Sequence, residues 1–281
     1  MNRKIAVIGT GTMGSGIAQA ALSSGYEVVC IAHSEKSSQA ALSSIKAGLS
    51  KAVSKGAITN AQADECIRHV SVTTDMSGIK GCSIVIEAVV ERQEEKKSVL
   101  SEAERNADAS AIISTNTSSI SINALSSSLK DSSRFIGIHF FNPVPVMKLV
   151  EVVVGSKTSQ ETLNTAIKFV TDLGKVNVEV KDYPGFVANR LLMVFINEAV
   201  KSLEAGIATR EGIDQIARLG FNHPMGPLQL ADFIGIDVCR DIMDQIYMQG
   251  KEERFKPSPL LQKMVENGRL GKKSGKGFYE Y

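Results

Sequence analysis

Six short apolar runs, separated by helical patterns, organise the first half of the chain. They are "KIAVIG", "YEVVCIA", "VSVTTD", "SIVIEAV", "SAIISTN" and "RFIGIHFF". Each is rich in β-branched residues and bounded by turn formers, as buried strands are. A helix follows the first run to about Ser24, where Gly25 is a natural stop. A long helical pattern covers about Ser37 to Ser54. "NAQADECIRH" reads as a short helix with Asn60 as its candidate cap, and a charged helix spans about Arg92 to Arg105. Near-continuous apolar strands alternating with helices imply a parallel sheet covered on both faces, a doubly wound α/β domain. The pattern changes at "KDYPGF", residues Lys181 to Phe186, and every later segment reads helical. "FVANRLLMVFINEAVKSLEAG" is apolar on more than one side, which suits the middle of a helical domain or a dimer interface. The expected division is 1–184 and 185–281, the second domain all-α.

The first chemical signal is "GTGTMG", Gly9 to Gly14, a G-x-G-x-x-G that follows a strand and opens a helix. Gly9 permits the tight turn, Gly11 lets the backbone approach a pyrophosphate, and Gly14 allows close helix–strand packing. Thr12 and Met13 begin the helix whose free N–H groups and positive dipole end would receive the phosphates. The first domain is therefore expected to be Rossmann-like and dinucleotide-binding. About twenty residues on, an Asp or Glu usually takes the ribose 2′-hydroxyl of NAD. Here "VVCIAHSEKS" places Ala32 at that position. His33, Ser34 and Lys36 follow, a set of donors and a cation suited to the 2′-phosphate of NADP(H). Glu35 or the backbone could serve the NAD(H) ribose instead, and both readings stand at this point.

Composition narrows the partners. The formal net charge is +2 with 22% charged residues, a balance that argues against nucleic acid or an anionic membrane as the main partner. Cys30, Cys66, Cys82 and Cys239 form no CxxC pair, so neither a metal site nor a disulfide framework is indicated. The chain enters "RKIAVIG" with no charged leader and cleavage pattern, and the helix near Leu191 is interrupted by Asn189, Arg190, Asn197 and Glu198. These features point to the cytoplasm.

A dehydrogenase needs a group that moves a hydroxyl proton, and histidine is the usual one. Of the four, His69 ends an amphipathic helix, His33 sits by the presumed ribose and His223 precedes a proline turn. His139 lies at the carboxyl end of the sixth strand, the edge where open α/β sheets bind ligands. If the "NPVPVM" turn lets "KLVEVVV" fold back beside "RFIGIHFF", the midpoint is Pro145 and Glu151 faces His139. A buried carboxylate there would fix the imidazole tautomer and stabilise its cation. The plainer reading is a core hairpin with two satisfied polar groups.

The motifs "GTGTMGSGIAQA", "IEAVVERQEEKK", "STNTSSI", "GIHFFNPVPVMKLVEVV", "PGFVANR", "NHPMGPLQLADFIG" and "GKKSGKGFYEY" together resemble the short-chain L-3-hydroxyacyl-CoA dehydrogenases, and among them the bacterial 3-hydroxybutyryl-CoA dehydrogenases. The resemblance covers essentially the whole chain. It implies reduction of acetoacetyl-CoA to (S)-3-hydroxybutyryl-CoA by NAD(H) or NADP(H), with no metal, in a homodimer formed through the C-terminal domain. It matches His139 to the catalytic base, Glu151 to its orienting partner, Ser118 to the serine on the substrate oxygen and Asn189 to the asparagine beside the reacting centre. Glu91, Lys96, Asn116 and Asn142 match cofactor-side positions. The family's acid after the second strand is absent, being Ala32. Lys51 and Lys55, four apart on one helix face, could meet coenzyme A phosphates or be solvated surface lysines. A dehydrogenase of another hydroxy acid, or a nucleotide-binding relative without turnover, remain as alternatives.

Overall fold

The computed structural model describes residues 3–281. Its strands are β1 (Lys4–Ile8), β2 (Glu27–Ile31), β3 (Val70–Thr73), β4 (Ile84–Glu87), β5 (Ile112–Thr115), β6 (Phe135–Phe140), β7 (Leu149–Val154) and β8 (Val176–Lys181). They form one sheet in the order β3-β2-β1-β4-β5-β6-β7-β8. All pairs are parallel except β6 with β7. Strands β4, β5 and β6 are buried along their whole length, which explains their mostly apolar sequences, with Glu87, Ser114, Thr115 and His139 as buried polar exceptions. The Rossmann-like α/β class and the helical second domain are as expected.

Helices α1 (Thr12–Ser23), α2 (Glu35–Ser54), α3 (Asn60–Arg68), α4 (Gln93–Asn106), α5 (Ile122–Ser126) and α6 (Gln160–Asp172) accompany the sheet. Two starts differ from expectation. Helix α2 begins at Glu35, because Ser34 and Ser37 form a reciprocal capping box. Helix α3 is capped by Thr59, whose side chain accepts from Gln62 N–H, while Asn60 is already helical.

Residues 155–183 carry two elements for which the strand pattern gives no expectation. Helix α6 is capped by Ser159 and buries Leu163, Ala166, Phe169 and Val170, a helical spacing. Phe169 is fully buried with its ring 5.3 Å from Tyr26, so Phe169→Ala would cost about 3–5 kcal/mol. Strand β8 is an edge strand that buries little beyond Val180 and interleaves valines with Asn, Glu and Lys. That mixture hides it from a search for apolar runs, and pairing with β7 is what makes it a strand.

The chain divides into two compact units, the first ending at Asp182 and the second running from Tyr183 to Tyr281. The second comprises α7 (Ala188–Glu204), α8 (Arg210–Gln215), α9 (Pro227–Ile234), α10 (Ile236–Gly250) and α11 (Pro259–Glu266). Met193, Ile196, Val200, Leu228, Met243, Phe255 and Leu261 form its core. One face of α7 is buried and includes Asn189 and Asn197, while Leu191 stays exposed. The Asn197 amide accounts for its own burial: Nδ2 donates to the carbonyls of Arg254 and Lys256, and Oδ1 accepts from Ser258 N–H. No described helix is long and apolar enough to cross a membrane.

Candidate active site

The strand order runs outward in both directions from the β1–β4 pair, which makes the carboxyl ends of those strands the switch point of the sheet. Gly9 follows β1 directly, with φ of +95°. A Cβ there would lie 2.6 Å from the Ala88 carbonyl oxygen just past β4, so the turn excludes any other residue by both backbone angle and space. A Cβ on Gly14 would lie 1.8 Å from Gly9 O. On Gly11 it would meet no protein atom within 4 Å, so the packing that excludes a side chain at Gly9 and Gly14 is absent at Gly11. Gly11 caps α1 without a side-chain hydrogen bond, and no acidic residue lies in the first turn with Thr12 and Met13. The residues present fit the pyrophosphate of a dinucleotide.

At the end of β2, the Ala32 side chain is buried and its N–H donates to Thr73 O at 2.8 Å. His33 and Lys36 are exposed, and Ser34 is occupied as the cap of α2. Lys51 and Lys55 are exposed at the far end of α2, about 25 Å along its axis from Ser34 at 1.5 Å per residue. They lie outside the cluster at the carboxyl edge.

The loops after β4 and β5 are tied together by buried charge. Glu87 ends β4 and is 0% exposed; Lys96 on α4 is 1% exposed. Lys96 Nζ donates to Glu87 Oε1 at 2.8 Å and to the Val89 carbonyl at 3.3 Å, and pairs with Glu91 Oε2 at 3.2 Å. Glu87 also accepts from Val89 N–H at 2.6 Å and from Thr115 Oγ1 at 2.6 Å. Glu91 Oε1 accepts from the N–H groups of Ser118 at 2.9 Å and Ser119 at 3.2 Å, and from the hydroxyls of Thr117, Ser118 and Ser119. Burial works against ionisation of Glu91, but Lys96 and these donors outweigh it and hold its carboxyl below the usual range. Asn116 Oδ1 accepts from Phe140 N–H at 2.9 Å, linking this loop to β6.

Strands β6 and β7 pair in the register that sets His139 opposite Glu151. Nδ1 of His139 is 2.9 Å from Glu151 Oε2, with the residues 6% and 2% exposed. The turn between them is held from outside: Lys175 Nζ donates to the carbonyls of Val144 and Met147 at 2.6 and 2.7 Å. Asn142 is exposed just past β6. Asn189 is in the first turn of α7, in the second unit.

The structure therefore gathers the glycine loop, Glu91, Lys96, Asn116, Ser118, His139 and Glu151 on the carboxyl ends of adjacent strands β1, β4, β5 and β6, or beside them. Glu87, Thr115, Thr117 and Lys175 belong to the same construction and are given no role by the sequence reading. For Glu87 a signal exists, a lone acid closing the apolar run "SIVIEAV".

Residues 4–183 match the family profile described as 3-hydroxyacyl-CoA dehydrogenase, NAD binding domain. Residues 185–281 match the 3-hydroxyacyl-CoA dehydrogenase C-terminal domain. The chain is 44% identical to a 3-hydroxybutyryl-CoA dehydrogenase of Clostridioides difficile over 278 residues, 99% of each chain. It is 43% identical to a probable 3-hydroxybutyryl-CoA dehydrogenase of Deinococcus radiodurans, covering 99% of this chain and 100% of that one. The crystal structure of the (S)-3-hydroxybutyryl-CoA dehydrogenase from Ralstonia eutropha superposes with a TM-score of 0.97 at 39% identity, covering 100% of this chain and 99% of that one. The chain belongs to the 3-hydroxyacyl-CoA dehydrogenase family, nicotinamide-dependent oxidoreductases acting on CH–OH groups.

Proposed function

We propose that this chain catalyses the reversible reduction of acetoacetyl-CoA to (S)-3-hydroxybutyryl-CoA, with His139 as general acid and base and Glu151 as its orienting partner. The observation that carries the reading is the buried 2.9 Å contact between His139 Nδ1 and Glu151 Oε2 at the ligand edge of a dinucleotide-type sheet. The four-carbon acyl group is taken from the relatives' substrate. A bound nicotinamide supplies or accepts the hydride. With the Nδ1 proton committed to Glu151, Nε2 of His139 is the atom that gives a proton to the alkoxide in reduction and removes it in oxidation. Ser118, whose backbone is fixed by Glu91, turns its hydroxyl from the long 3.4 Å contact with Glu91 to donate a hydrogen bond to the substrate oxygen and hold the carbonyl in line. The role that the resemblance gives Asn189 is tested by Asn189→Ala.

NADP(H) acceptance is part of the proposal, supported by Ala32 in place of an acid and by exposed His33 and Lys36 beside it. Homodimerisation is a further part. Leu191, Ile207, Leu219 and Phe221 in the second unit are all exposed apolar side chains, and sedimentation of a monomer would remove this part.

The experiment follows cofactor absorbance with acetoacetyl-CoA, using NADH and NADPH separately, over a short series of acyl lengths. Turnover with the four-carbon substrate is expected. Oxidation of neither cofactor with any 3-ketoacyl-CoA would overturn the reading. Oxidation of NADH without oxidation of NADPH would remove the NADP(H) part alone.

A further inference from the structure

The cluster after β4 holds more charge than its own pairing requires. Glu87 meets three donors, Val89 N–H and Lys96 Nζ on Oε1 and Thr115 Oγ1 on Oε2. Glu91 accepts from Lys96 and from the backbone and hydroxyls of residues 117–119. Among the described residues Lys96 is the one cation joined to both. Lys96 would be matched by a single carboxylate, yet two carboxyl groups face this one ammonium, a formal count of one negative charge in surplus. Its core, Glu87 and Lys96, is buried, where charges are weakly screened and stay fixed in place.

The placement of that charge is as specific as its sign. The Ala88 carbonyl, one residue after Glu87, is the atom a Cβ on Gly9 would strike at 2.6 Å, so the cluster abuts the glycine loop. On its other side, Glu91 Oε1 accepts from Ser118 Oγ at 3.4 Å and from Ser118 N–H at 2.9 Å. Ser118 is the hydroxyl assigned above to the reacting carbonyl. The surplus charge thus lies between the pyrophosphate loop and the reaction centre. We propose that the Glu87–Lys96–Glu91 cluster is an electrostatic element that favours the oxidised, cationic nicotinamide over the neutral reduced one, with Glu87 acting from beneath without touching either ligand.

This inference rests on the dehydrogenase reading and is tested apart from turnover. Dissociation constants for the oxidised and reduced forms of the cofactor are measured by calorimetry on the full-length protein without acyl substrate. Glu87→Gln keeps the shape and removes one charge. The oxidised form should weaken more than the reduced form, raising the ratio of the two dissociation constants about tenfold, or about 1.4 kcal/mol. Glu91→Gln, at a partly exposed position, should move the ratio in the same direction and serves if the Glu87 variant does not fold. Equal weakening of both forms, with the ratio unmoved, would show that the cluster only braces the loop and would overturn the proposal. Failure of the wild-type protein to bind either form would instead count against the cofactor reading.

Discussion

Both units bury carboxylates, and they satisfy them by opposite means. In the first unit Glu87 and Glu151 face side chains that can themselves carry charge, Lys96 and His139. In the second, Asp214 and Asp232 face backbone. Asp214 accepts from Leu228 N–H at 2.9 Å and Gln229 N–H at 3.1 Å, at the open start of α9, and from the Tyr279 hydroxyl. Asp232 accepts from Phe278 N–H and Tyr279 N–H, both at 2.8 Å. It thereby pins the C-terminal "GFYEY" to α9. A Cβ on Gly277 would lie 1.9 Å from Asp232 Oδ1, so the glycine of "GKGF" is demanded by that carboxylate. An acid held by fixed amide donors closes a fold, because amides do not exchange charge. An acid held against an imidazole can orient a proton carrier.

Substitutions that probe this contrast rank by size. His139→Ala should lower kcat by about a hundredfold or more while cofactor affinity holds, since the proton carrier is lost but not the glycine loop. Full turnover in that variant would make the first unit's pair no different in kind from the second's. Glu151→Gln should reduce kcat more than it changes KM, through misorientation of the ring. A change confined to thermal stability would assign Glu151 to the same structural class as Asp232.

Asp232→Asn should leave the chemistry in place and cost about 1–3 kcal/mol in urea unfolding at neutral pH, because the amide nitrogen must face one of the N–H donors. The pH dependence sharpens this. Burial raises the Asp232 pKa, against the lowering effect of its backbone and tyrosine hydrogen bonds. Its folded form therefore binds a proton more readily than its unfolded form. The wild-type margin over the variant should be greatest below the ordinary carboxylate range and shrink as pH rises through the raised folded value. A margin that grows with pH would show that this carboxylate is stabilised in its charged form after all.

Lys175→Met removes two hydrogen bonds from the turn between His139 and Glu151. It should cost about 1–2 kcal/mol of stability, read as a lower melting temperature, with a secondary fall in kcat. The smallest effect is expected of Lys51→Ala with Lys55→Ala. A raised KM for the CoA thioester would tie the far end of α2 to the substrate, and an unchanged KM would make these surface lysines only.

Legibility followed burial. Strands β1, β2, β4, β5 and β6 announce themselves because both faces are covered and most positions are apolar. The β6–β7 hairpin was also readable, down to the facing of His139 and Glu151, because a proline turn between two apolar runs admits few registers. Helix α6 and strand β8 escaped, since half of α6 and most of β8 face solvent and their sequences mix valine with charge. In the site, residues at motif positions were visible. Glu87 could be noticed as a lone acid in an apolar run, but not given a role, because its meaning depends on Lys96, nine residues away on another element.

The sequence alone determined the α/β-then-α organisation, the phosphate loop and the identity of the acid–base candidates, because each is written in local spacing and residue type. Only the tertiary structure decided that Glu87, Lys96 and Glu91 form one group beside Ser118, buried at Glu87 and Lys96 and partly exposed at Glu91. It likewise revealed that Lys175 holds the turn of the β6–β7 hairpin, and that the C-terminal tail is closed by Asp232. The reason is physical. Whether a charge is buried, and what neutralises it, depends on strands and helices brought together from distant parts of the chain, and no local pattern encodes that meeting.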